Sequence, residues 1–163
     1  MKPRNPAFAA SPCQGFTLIE LMIAIAIGAI LIAIAIPMYT RQVQQSRRVD
    51  ARTAVLDLAG REERYLSVSS SYTTSPANLG YATGAGATFP MVVGSGYYQV
   101  NVTVTAAVPP LGPTYTVFAT PVAGSSQLQD TQCQYFSVTN TGAQFSSANI
   151  AGGGANTAST CWQ

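Results

Sequence analysis

Hydrophobic residues fall along this chain in three different rhythms. The first is no rhythm at all: residues 16–36, "FTLIELMIAIAIGAILIAIAI", are apolar at nearly every position, with Glu20 the one charge. A stretch of 21 residues makes a helix of about 32 Å, which spans a bilayer. Beyond Pro37, Ala51, Ala54, Val55, Leu58, Ala59, Glu62, Tyr65 and Leu66 recur at steps of three and four. That spacing predicts one mostly apolar face on a helix over 38–66, with Pro37 loosening or kinking its junction with the first run. Asp57 and Arg61 stand in the favourable i,i+4 order on it, and Gly60 is its weak point. Residues 67–96 are turn-rich and predict a long irregular connection, with Met91–Val93 its short apolar run. Period-two alternation then begins at 97–105, 114–122, 133–139 and, more weakly, 143–147. Pro109, Pro110, Gly112, Pro113 and the Asn140 to Gly142 turn separate these runs. Four antiparallel strands covered by the amphipathic helix half make an α+β domain.

Composition sharpens this picture in one respect. Only 9% of the 163 residues are charged, and every Lys and Arg lies at or before Arg64; from Tyr65 onward Asp130 is the sole charge. Such a surface is polar, neutral and suited to packing against copies of itself. An ionised Glu20 in hydrocarbon costs a few kcal/mol, so a chain that keeps it needs a partner for it. Residues 1–15, with Lys2, Arg4 and three prolines, read as a targeting leader outside the fold. The flanking charges do not orient the span, because Arg41, Arg47, Arg48 and Arg52 outnumber the cations before it. The cysteines do: Cys133 and Cys161 read as a disulfide of an exported domain, with two separate buried thiols as the alternative.

Catalysis has little to work with. The chain has no His, no free Cys once Cys13 leaves with the leader, and one acid in the outer domain, so no acid–base or nucleophile–base pair is expected there. No metal and no cofactor is expected either, since two thiols without His supply too few ligands. Glu62 and Glu63 are adjacent on the helix and are read as a solvated face. The "AGGGA" at 151–155 lacks the following Lys and preceding strand of a phosphate loop.

"GFTLIELM", an apolar helix and then a proline resemble the N-terminus of type IV pilins and of type II secretion pseudopilins. "RRVDARTAVLDLAGREERY", "SYTT", "LGY" and the final "CW" resemble a group of minor pilins of Gram-negative type IV pili. The resemblance implies the type IV pilin fold, with a long N-terminal helix on a roughly four-stranded antiparallel sheet and a disulfide-bounded C-terminal region at Cys133 and Cys161. It implies cleavage after Gly15 by prepilin peptidase and methylation of the new Phe16 amine. Glu20 and Pro37 become assembly residues, and Glu20 pairs with the Phe16 amine of a neighbouring subunit. The implied partners are other pilin subunits, prepilin peptidase and the type IV pilus assembly machinery. The implied location is the inner membrane, with the C-terminal domain periplasmic, and then the extracellular pilus. A DNA-receptor minor pilin and a secretion pseudopilin are the alternatives within this resemblance. Nucleic acid is not expected as a partner, because the outer domain offers no Lys or Arg to phosphate. The helix arginines are expected to pair with Asp50, Asp57, Glu62 and Glu63.

Overall fold

The computed structural model describes residues 15–81 and 86–163. The expected leader, apart from Gly15, lies outside the described residues. The chain divides into two compact units, Met1–Thr40 and Arg41–Gln163, and helix α1, Leu18–Ser69, contributes to both.

In the first unit α1 begins with a capping residue. Thr17 Oγ1 accepts the Glu20 backbone N–H at 3.3 Å, satisfying one of the donors a helix N-terminus leaves open. The helix then continues through Pro37, whose missing N–H removes one intrahelical bond without ending it, while Thr40 donates its hydroxyl to the Pro37 carbonyl at 3.0 Å. None of the apolar window is buried.

In the second unit α1 runs on to Ser69, three residues beyond the expected end. The sheet is a meander of five antiparallel strands in chain order: β1 Met91–Val93, β2 Tyr98–Thr105, β3 Thr114–Pro121, β4 Tyr135–Thr139 and β5 Gln144–Ser147. A 3-10 turn at Ser126–Gln129 joins β3 to β4, and a short helix α2, Ala158–Cys161, follows β5. Alternation fixes the register. Val100 faces Ala119, Val102 faces Val117, Val117 faces Val138, and Ala119 faces Phe136, so a slip of one residue would turn this whole set outward. Against that inner face pack Ala51, Val55, Leu58 and Ala59 of α1, and all of them are buried. On the outer face Phe118 stacks on Tyr135 with ring centroids 5.6 Å apart.

Two expectations need correcting. Met91–Val93 is a strand, not part of an irregular connection: it pairs with β2 through Met91↔Val100 and Val93↔Tyr98. Moreover, β4 starts at Tyr135 instead of Cys133, because the Cys133 N–H is taken by the Asp130 carboxylate at 3.3 Å.

Candidate functional site

The residues expected to carry function lie at the two ends of the sequence. At the first, Phe16 is 80% exposed, and Leu18, Ile19, Leu21, Met22, Ile23 and Ile25 are exposed around every side of α1. A helix apolar all round belongs inside a membrane or an apolar bundle. Glu20 is the single carboxylate among these side chains and stands in the first turn of α1, where its charge is favoured by the helix dipole. Among the described residues no ion pair involves it. Gly15 precedes the helix and Pro37 lies within it.

At the second end, Cys133 and Cys161 form a disulfide with Cα atoms 5.8 Å apart, and both residues are buried. Asp130 sits immediately before this loop and organises it. Arg48 of α1 reaches Asp130 as a fork, Nε to Oδ2 at 2.7 Å and Nη2 to Oδ1 at 2.8 Å. The same carboxylate accepts Gln127 Nε2 at 3.0 Å and the backbone N–H groups of Gln132 and Cys133. Gln127 Nε2 also donates to the Tyr98 hydroxyl, which burial and the neighbouring Asp130 charge push well above the usual phenol range. Trp162 closes the region: its ring meets Phe136 edge-on, and its Nε1 donates to the Phe145 carbonyl at 3.1 Å.

The helix charges are distributed differently from expectation. Arg61 does pair with Asp57, at 2.8 Å. Arg48, however, pairs with Asp130 across 82 residues of chain, and Asp50 accepts from the Ser95 N–H and hydroxyl. Arg52 donates to the Gln163 carbonyl, and Arg47 lies over the Tyr97 ring at 3.5 Å. Glu63 is exposed as expected, whereas Glu62 is fully buried, because it occupies the same α1 face as Val55, Leu58 and Ala59.

A long N-terminal helix with a bare apolar start, an antiparallel meander and a disulfide-closed C-terminal region make this the architecture of a type IV pilin. The family described as "Type IV minor pilin ComP, DNA uptake sequence receptor" matches residues 37–137, and the prokaryotic N-terminal methylation motif matches residues 11–36. The type IV major pilin protein PilA of Myxococcus xanthus (strain DK1622) is 38% identical over 69 residues, covering 42% of this chain and 31% of that protein. The chain thus spans about a third of the length of that relative. It belongs to the type IV minor pilin ComP family.

Proposed function

We propose that the chain is a minor structural subunit of a type IV pilus, held in the inner membrane by its N-terminal helix before it enters the filament. The observation that carries this is the pairing of a helix exposed and apolar on all sides with a single carboxylate, Glu20, in its first turn. Burying that helix among copies of itself or of other pilins removes apolar surface from water and lipid alike. A cation beside it makes an ionised Glu20 tolerable there. Cleavage after Gly15 by prepilin peptidase creates that cation, the Phe16 amine, which is then methylated. The Glu20 carboxylate of one subunit and the amine of the next then set the register of the stack. Such a pair acts as a registration device more than a net stabiliser, since leaving either charge alone costs about 3–5 kcal/mol. The assembly machinery supplies the insertion step, and the role is structural, not catalytic.

Replacing Glu20 with alanine therefore leaves leader cleavage largely intact and lowers the chain's share of sheared filaments at least about tenfold. Immunoblots of filament and membrane fractions measure this. Normal incorporation of Glu20→Ala would remove the pairing from the account.

A second reading, receptor for DNA, is favoured by the description of the matched family. Phosphate contacts would have to come from α1, because no Lys or Arg follows Arg64. Among the described residues Arg41 and Arg64 have no side-chain hydrogen-bond partner, which leaves their guanidinium groups available. If this reading holds, Arg41→Ala and Arg64→Ala each reduce the salt slope of duplex binding by about 1. No measurable binding of a duplex at low salt would dismiss it.

A further inference from the structure

Glu62 is a buried acid that no salt bridge reaches among the described residues. It is 0% exposed; Oε2 accepts the Thr73 backbone N–H at 3.1 Å, and Oε1 has no hydrogen-bond partner among the described residues. Of the other acids of the second unit, Asp57 and Asp130 pair with Arg61 and Arg48, while Asp50 and Glu63 are not buried and accept from Ser95 and Tyr72. The titratable groups around Glu62 are Glu63 on its own helix, Tyr72 on the segment after α1, and Tyr115 on β3. Arg61 precedes it on α1 but turns to Asp57 and to the carbonyls of Leu79 and Gly80. Burial first, and then the Glu63 charge, raise the Glu62 carboxyl above its ordinary value, against the Thr73 N–H, which lowers it.

The donor to Glu62 belongs to the segment that lies over it. Residues 70–81 return along α1, with Pro76 and Leu79 buried and the Tyr72 ring edge-on to Tyr115 at 4.7 Å. The segment supplies the one donor to the Glu62 carboxyl, so lifting it frees that carboxyl for water. A neutral carboxyl is comfortable beneath it; an ionised one, with a single N–H, is not.

We propose that Glu62 is a proton-operated latch on residues 70–81, closed when the carboxyl is neutral and loosened when it ionises. This holds whether or not the chain assembles into a pilus. The direction follows from the full burial of the carboxyl with one donor, the Thr73 N–H, for its two oxygens. The latch is fully closed below the ordinary carboxyl range and weakens as pH rises through the raised one. A segment at the surface of the domain is thereby made more accessible at neutral than at acidic pH.

Hydrogen exchange on the detergent-solubilised full chain tests it, with rates corrected for the intrinsic pH dependence of exchange. Between about pH 4 and about pH 8, protection at Thr73 and its neighbours falls about tenfold or more, while amides of β2 and β3 hold theirs. In Glu62→Gln protection at 70–81 no longer changes with pH, and in Glu63→Gln the response persists. Wild-type protection at Thr73 that is flat with pH overturns the latch however the variants behave. So does an unchanged response in Glu62→Gln, or a loss shared equally by the whole sheet.

Discussion

Asp130→Ala lowers the stability of the folded chain by about 3–5 kcal/mol, the cost of leaving one member of a buried ion pair alone. Arg48 is 7% exposed and keeps its charge, so the guanidinium would stay in the interior facing a cavity. The N–H groups of Gln132 and Cys133 and the Gln127 amide would lose their shared acceptor in the same step. The loss is therefore larger than the removal of one surface salt bridge, which is worth about 0–1 kcal/mol. Replacing both partners, Arg48→Met with Asp130→Leu, costs much less than the two single changes added together. Denaturant unfolding followed by Trp162 fluorescence, with a constant m value, measures all three. A single change costing under about 1 kcal/mol would mean that the fork does not hold α1 to the C-terminal region.

Cys133→Ser with Cys161→Ser costs about 3–4 kcal/mol on the chain-entropy model for a loop with a sequence separation of 28. Here too the effect spreads along the chain, because the Cys133 N–H is one of the donors to Asp130 and Cys161 ends α2. The disulfide and the Arg48–Asp130 fork therefore close the same region from opposite sides. Combined with Asp130→Ala, the cysteine change costs less than the sum of the two, since either one already loosens the loop. Unfolding of the oxidised and the reduced wild-type chain gives the disulfide part directly. Identical midpoints would contradict it.

What could be read from the sequence follows the reach of each interaction. The meander was legible in β2, whose eight residues alternate strictly, in β3, where only the run Val117, Phe118, Ala119 breaks the alternation, and in the Pro and Gly residues between the strands. Three residues in β1 are too few for a period, and only pairing with β2 identifies them as a strand. The buried face of α1 was legible from Ala51 to Leu58. The same period places Glu62 on that face, and it was the charge of Glu62 that argued wrongly for solvent. The Arg48–Asp130 pair joins residues that no local pattern connects. Its signal was indirect: a lone acid in a stretch otherwise free of charge needs a cation, and all the cations lie on or before α1. The partner of Glu20 belongs to another chain in this account, so a single chain carries the need for it and not the answer.

The intact mass of this chain in sheared surface filaments, reduced and unreduced, tests the central claim most directly. The expected result is a chain that starts at methylated Phe16, is two hydrogens lighter before reduction, and is present in the filaments as a small fraction of the subunits. The full-length chain alone, confined to membranes, would contradict it.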